Sequence, residues 1–318
     1  MSDLHVVFGA GQVGQLLAAR LVDLGERVRV VRRSAGGGPG GAECVSGDAS
    51  DPGFCAEQAR GAKVVYHCLA TSYDARLWEE QLPRLARNLE TAAGRAGARL
   101  VVLDNLYALG RTHGRLLDED VPMNPCSRKG EIRARIAEEL FAAQERGDVR
   151  VTLGRASDFY GPGGVRTHFG EFFWRAALAG RTASLLVSLD TPHTYHFIRD
   201  VARGLASLGL SEDDVLGRAW MLPCAPAVST RALVGKLSEA LGRGIRVRSL
   251  PALAARALGL FVPVVREVAE MAYLFEEPFV VDDRRFRVRF GLEGTSLAEG
   301  ARETVAWAKR CYSEGARA

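Results

Sequence analysis

The chain has 318 residues, 47% hydrophobic and 25% charged, enough for one large or two medium globular domains. A formal net charge of +4 gives no argument for a nucleic-acid partner, and no uncharged apolar run reaches the length of a transmembrane segment. The six cysteines (44, 55, 68, 126, 224 and 311) form no C-x-x-C pair and have no metal-like spacing, so reduced thiols, no metal and a cytoplasmic location are expected.

The apolar run Leu4–Phe8 reads as a first strand, so no signal peptide is expected. It leads into Gly9-Ala10-Gly11-Gln12-Val13-Gly14. Val13, Leu16, Leu17, Leu21 and Leu24 then mark one face of a helix that Gly25 stops. Strand, glycine turn and helix is the setting in which G-x-G-x-x-G binds a dinucleotide. Gly9 can turn tightly, Gly11 lets a pyrophosphate approach the backbone, and Gly14 lets helix and strand pack closely. The free N–H groups around Gln12 and Val13 would face the phosphates.

Further strand candidates are Arg27–Val31, Glu43–Val45, Lys63–Leu69, Arg99–Leu103 and Val149–Leu153. Helical segments Pro52–Arg60, Leu77–Ala96 and Lys129–Arg146 separate most of them. This alternation predicts an α/β fold with a parallel sheet covered on both faces. Arg33–Gly41 is a glycine-rich loop. Gly110–Ser127 reads as a loop over the C-terminal edge of the sheet, where ligands sit in such folds. The second strand ends Val30-Val31-Arg32-Arg33-Ser34, with no carboxylate to hold a ribose 2′-hydroxyl. Arg32 and Arg33 suit a 2′-phosphate, so NADP is favoured and NAD is left open. Of 42 basic residues only Lys63, Lys129, Lys236 and Lys309 are lysines, leaving 38 arginines. A GC-rich genome produces that bias, so one arginine says little and a retained lysine says more.

Beyond Gly161 the pattern is irregular, with helical segments near Phe169–Ala179, Val201–Leu208, Ala232–Leu241, Leu253–Leu274 and Leu297–Arg310. They predict a smaller, mostly helical substrate-binding domain at 161–318, after a dinucleotide-binding domain at 1–160 to which some later segments return. Pro251–Phe275 is notably apolar and reads as buried helices, a hydrophobic substrate lid or a weak membrane contact. His193-x-x-His196 lacks an acidic third ligand nearby, so a pocket or loop role for His193 is preferred to a metal site.

Five landmarks together resemble the short-chain dehydrogenase/reductase superfamily, in its extended or atypical branch with the NAD-dependent epimerase/dehydratases. They are Gly9–Gly14, Gly47-Asp48-Ala49-Ser50-Asp51-Pro52, Val64–Ala70, the Arg155 to Gly163 segment with Tyr160-Gly161-Pro162-Gly163, and His196-Phe197-Ile198-Arg199-Asp200-Val201-Ala202. The resemblance implies a Rossmann-type doubly wound sheet. It also implies that Asp48 and Ala49 lie at the adenine, Leu69 and Ala70 beside the cofactor, and Asp158 and Tyr160 at the substrate.

The chain departs from that family where its proton chemistry resides. The resemblance calls for a serine and a Y-x-x-x-K pair. Here Asp104-Asn105 replaces the serines, and the helix that opens near Lys129 has no tyrosine. Counting back from Arg155 places Lys129 at the tyrosine position and Arg133 at the lysine position. A one-residue shift would place Gly130 and Ala134 there instead. Asn105, Tyr107 and Lys129 are the candidate catalytic residues, and Lys129 also borders the cofactor. Arginine does not deprotonate in proteins and cannot stand in for a phenol.

The expected activity is reduction of a small, hydrophobic carbonyl or conjugated ring by NAD(P)H, in secondary metabolism. A nucleotide-sugar epimerase/dehydratase with retained NAD(P) and a non-catalytic NADP-binding sensor are the alternatives. A homodimer is left open.

Overall fold

The structure is a computed structural model and describes residues 2–250 and 263–313. These divide into two compact units. Among the described residues, the first comprises 2–110, 119–156 and 201–222, and the second 111–118, 157–200, 223–250 and 263–313. Residues 201–222 belong to the first unit, apart from the rest of its chain.

In the first unit, β1 (Leu4–Phe8), α1 (Gly14–Asp23), β2 (Arg27–Arg32), β3 (Glu43–Ser46), α2 (Pro52–Ala59), β4 (Val64–His67), α3 (Ala75–Ala96), β5 (Arg99–Asn105), α4 (Arg128–Glu145) and β6 (Arg150–Ala156) follow one another. The sheet runs 3-2-1-4-5-6, and the strand Ala219–Met221 adds a seventh member beyond β6. Every pairing in it is parallel. The strand order reverses between β1 and β4, the point where open α/β sheets take ligands. Strand faces are built from buried Val6, Phe8, Val65, Leu100, Val102 and Val151. Helix α3 buries Trp78, Leu82, Ala86 and Leu89 against them at helical spacing.

Side-chain caps set where the helices begin. The Asp51 carboxylate accepts from Gly53 N and Phe54 N, Asp74 accepts from Arg76 N and Leu77 N, and the Ser127 hydroxyl accepts from Gly130 N. Arg99 ties the far edge together. Its guanidinium is buried and donates to the carbonyls of Leu208 and Gly209 and to Asp213.

The second unit holds helices Glu171–Leu178, Thr230–Leu241, Pro263–Ala269, Arg284–Phe290 and Leu297–Tyr312. Among its described residues are three two-stranded ladders, pairing Asp158–Tyr160 with Tyr195–Phe197, Pro192–His193 with Val228–Ser229, and Ala183–Leu185 with Val247–Ser249. Much of the apolar Pro251–Phe275 stretch, residues 251–262, lies outside the described residues. Its remainder is the helix Pro263–Ala269 and a 3₁₀ turn at Ala272–Phe275. No helix among the described residues is long and apolar enough to cross a membrane.

Candidate active site

The glycine turn connects β1 to α1 as its spacing predicts. Gly9 has φ of +110°, and its N–H donates to the Val31 carbonyl. A Cβ at Gly9 would lie 2.5 Å from the Cys68 carbonyl oxygen, and one at Gly14 only 1.8 Å from the Gly9 carbonyl oxygen. A Cβ at Gly11 would meet nothing within 4 Å. So Gly9 and Gly14 serve the packing of β1, β4 and α1, while Gly11 borders open space. No side chain caps α1, and its first turn carries no acid, so its N-terminal N–H groups can face an anion.

Two buried polar atoms beside this turn, Gln12 Oε1 and Arg32 Nε, have no hydrogen-bond partner among the described residues. Buried polar atoms are normally paired, so a ligand with both donor and acceptor groups fits them. The nicotinamide dinucleotide that the turn implies has both, and the open face at Gly11 admits its pyrophosphate. Val13 is buried in the same turn. Arg32 also donates to the Gly37 carbonyl, and Arg33 is exposed. Asp48, two residues past the end of β3, accepts from Ser50 N and Ser50 Oγ, and these bonds hold its carboxyl below the usual range. Ala49 is buried, and its carbonyl accepts from Asn88. Leu69 is half-buried and Ala70 exposed just past β4. The Leu69 N–H donates to His67 Nδ1. Burial, reinforced by the Arg133 cation, pushes His67 down to about 3, so this imidazole is neutral.

Past the end of β5 the structure gathers a cluster of aromatic and charged side chains. Lys129, in the first turn of α4, is fully buried, with Nζ 4.8 Å from the centre of the Tyr73 ring. Tyr73 Oη lies 3.2 Å from Tyr107 Oη. Trp78 stacks on Tyr107 and meets Tyr73 edge-on, with centroids 6.1 and 5.6 Å apart. Asn105 Oδ1 accepts from Tyr107 N and so fixes the turn that presents Tyr107. Arg133, one turn beyond Lys129, lies 5.0 Å over the Trp78 ring and 3.8 Å from Asp104. Asp104 is buried and accepts from Arg155 Nε at 3.1 Å. The structure therefore brings Asn105, Tyr107 and Lys129 together. Sequence reasoning missed Tyr73 and Trp78. Both lie around the start of α3, outside every motif, and their position after the β4 edge was the only signal.

In the second unit, Asp158 lies between two imidazoles, 2.9 Å from His193 Nε2 and 3.5 Å from His168 Nε2. Burial would raise this carboxyl, but hydrogen bonds from His168 and His193 hold it far below the usual range. His193 is fully buried between Phe275 and Phe279, with centroids 4.2 and 5.3 Å away. Tyr160 is fully buried against Phe197. Asp200 is buried and accepts from the N–H and hydroxyl of Thr295. A cavity of about 520 Å³ is lined by Leu186, Leu189, Arg231, Leu250, Phe275 and Glu276, among others. Asp158, Tyr160 and His193 do not line it, although Phe275 does. Arg231 is paired with Asp190 at 2.8 and 3.1 Å. Among the described residues, His, Cys, Asp and Glu side chains form no metal-holding group of three or more.

Comparison with known proteins adds to this geometry. The model of the NAD dependent epimerase/dehydratase family matches residues 5–217. No curated protein matches the chain by sequence. Among solved structures, the Bordetella bronchiseptica enzyme WbmH in complex with NAD+ is similar at 18% identity, with a TM-score of 0.76 over 98% of this chain and 100% of that one. MoeE5 in complex with UDP-glucose and NAD is 22% identical, with a TM-score of 0.76 over 98% and 100%. UDP-glucuronic acid 4-epimerase from Bacillus cereus, in complex with UDP-glucuronic acid and NAD, is 15% identical, with a TM-score of 0.78 over 97% and 100%.

Proposed function

We propose, since this chain belongs to the NAD dependent epimerase/dehydratase family, that it holds a nicotinamide dinucleotide at Gly9–Gly14 and converts a nucleotide-linked sugar while retaining that cofactor. The observation that carries the reading is the cradle itself, with open space at Gly11 and the unpartnered Gln12 Oε1 and Arg32 Nε beside it. Family membership, and relatives in the same fold that bind UDP-sugars with NAD, favour this reaction over net reduction of a hydrophobic carbonyl. A bound nicotinamide supplies a reversible hydride acceptor.

The chain's own residues do the rest. Gln12 and Val13 at the start of α1 receive the phosphates, Asp48 and Ala49 border the adenine, and Leu69 and Ala70 flank the cofactor beyond β4. Arg32 and Arg33 at the tip of β2 favour the 2′-phosphate of NADP, because a guanidinium grips phosphate with two parallel hydrogen bonds. Tyr107 handles the proton at the substrate oxygen, the Lys129 cation stands behind it, and Asn105 holds the turn that presents Tyr107. For Asp158, Tyr160 and His193, in the second unit, a part in substrate binding rests on the sequence reading.

A second reading keeps the carbonyl reductase. It is favoured by the cavity in the second unit, whose lining includes Leu186, Leu189, Leu250 and Phe275 and whose arginine is already paired.

Titration of the purified protein with NADPH and NADH tests the cofactor. NADPH should bind about tenfold more tightly, a difference of about 1.4 kcal/mol, and Arg33→Ala should narrow that gap. No binding of either below millimolar would sink the proposal. Incubation with UDP-sugars, followed by NMR of the sugar, tests the reaction. Conversion without net NADPH consumption supports the sugar reading, whereas stoichiometric NADPH consumption with small carbonyls would replace it by the reductase.

A further inference from the structure

We propose that the paired hydroxyls of Tyr73 and Tyr107, beside the buried Lys129 ammonium, are the proton-transfer group of this chain. The role has moved from α4 to the two turns that follow β4 and β5. The inference rests on the proposed dinucleotide chemistry and names the acid–base group that serves it.

Three observations carry it. First, the two phenolic oxygens are 3.2 Å apart, so when one loses its proton the other can donate a hydrogen bond to the phenolate. Hydrogen bonding to the charged form favours that form. Second, Lys129 is fully buried with its Nζ over the Tyr73 ring. Opposite charge within about 4–6 Å lowers an acid's pKa, and burial weakens the screening that would blunt the effect. Third, Trp78 packs on both rings, one face-on and one edge-on, and Asn105 anchors the Tyr107 backbone. The pair is therefore held in place, and both tyrosines are only half-buried, which leaves them accessible to a ligand.

The surrounding charges agree in sign. On α4, Arg133 stands one turn from Lys129 and against Trp78. On β5, Asp104 is occupied by Arg133 and by Arg155 of β6. On β4, His67 is neutral. On α3, the Asp74 carboxylate caps the helix and Glu79 is taken up by Arg128 and Arg135. Among these described groups, the Lys129 cation over the Tyr73 ring is the one that acts on the phenol pair directly.

The step balances simply. The substrate's O–H bond breaks, and its proton forms a new O–H bond on the phenolate oxygen of the pair. A nicotinamide dinucleotide held at Gly9–Gly14, in its oxidised form, would accept the hydride lost from the same carbon. In the reverse direction a phenol O–H returns the proton to the substrate alkoxide. Lys129 does not exchange the proton in this scheme. It is a positioning residue, acting through the charge it sets beside Tyr73.

Ultraviolet difference titration of the full-length protein, which reads phenolate directly, tests the proposal without any turnover. Burial pushes Tyr66, Tyr160, Tyr195 and Tyr312 upward, so a tyrosine ionising low stands apart from them. One phenol should ionise about one to three pH units below the ordinary value near 10. Its partner should ionise only far higher, because the two titrate as a pair. Of Tyr73→Phe and Tyr107→Phe, the one that removes the ionising phenol should abolish the low step, and the other should raise it. Lys129→Met should raise it by about one unit or more, and Lys129→Arg, which keeps the cation, should restore it. Wild-type protein with no tyrosine ionising below the ordinary range, or a low step that Lys129→Met leaves in place, would overturn the proposal. A protein that binds NADPH or NADH but lacks the low step removes this inference alone. A low step in a protein that binds neither removes the proposed function alone.

Discussion

A Cβ at Gly14 would stand 1.8 Å from a backbone oxygen, whereas one at Gly11 would touch nothing within 4 Å. Two substitutions in one motif should therefore fail in different ways. Gly14→Ala forces β1 and α1 apart and should cost on the order of 1–3 kcal/mol of stability, read as a lower urea midpoint. Gly11→Ala should leave that midpoint unchanged and weaken NADPH binding about tenfold, or about 1.4 kcal/mol. Equal loss of stability in both would mean that Gly11 also packs. The motif was legible because its chemistry is local, and each glycine is explained by neighbours close in sequence or by the next strand. Asp104 was not legible in this way. In the sequence it is only a departure from a serine. Its reason is Arg155, 51 residues away, with which it forms a buried pair. Breaking such a pair leaves an uncompensated charge in the core. Tyr73 escaped for a similar reason, since its partners Tyr107 and Lys129 lie on other elements.

Strands β1 to β6 appear in sequence as apolar runs, because a parallel sheet covered by helices is buried on both faces. What the runs hide is the polar group at the end of a strand. The last residue of β4, His67, is 5% exposed and is driven down to about 3 by burial and then by Arg133. The unfolded chain takes up a proton near 6.5 that the folded chain refuses until about 3. The stability contribution is thus complete above pH 6.5 and is lost as pH falls through that window. At pH 5 the loss from this one group is about 2 kcal/mol, from 1.5 pH units at about 1.36 kcal/mol each. His5 is lowered in the same direction, chiefly by burial, and should add to the slope. Urea unfolding at pH 7 and pH 5 checks this. His67→Gln should flatten the difference by about 2 kcal/mol, and an undiminished slope would show that the imidazole is protonated in the fold.

At the scale of the whole chain, the first unit is not a continuous stretch. The sequence suggests a boundary at residue 160, because the alternating pattern ends there, and it allows only that some later segments return. The returning segment is 201–222, and its contribution is specific. The strand Ala219–Met221 pairs with Leu153–Arg155 and covers the outer edge of β6. Met221 N donates to Glu119, and the Trp220 indole donates to the Val215 carbonyl. The guanidinium of Arg99, buried at the start of β5, donates among the described residues to Leu208, Gly209 and Asp213. The Tyr66 ring fills the space that a side chain at Gly209 would need. A fragment of residues 1–160 would therefore keep every motif that was readable in sequence and lose the partners of its own edge. It would expose an unpaired strand edge, and it would lose the packing and the hydrogen bonds that residues 201–222 give to Arg99 and Tyr66. Losses of this kind are a large fraction of the margin by which a domain is stable. The fragment should unfold without a cooperative urea transition and should bind NADPH poorly. Joining residues 201–222 to it through a flexible linker should restore both. A fragment of 1–160 that unfolds cooperatively at the stability of the full chain would show that the returning segment is dispensable.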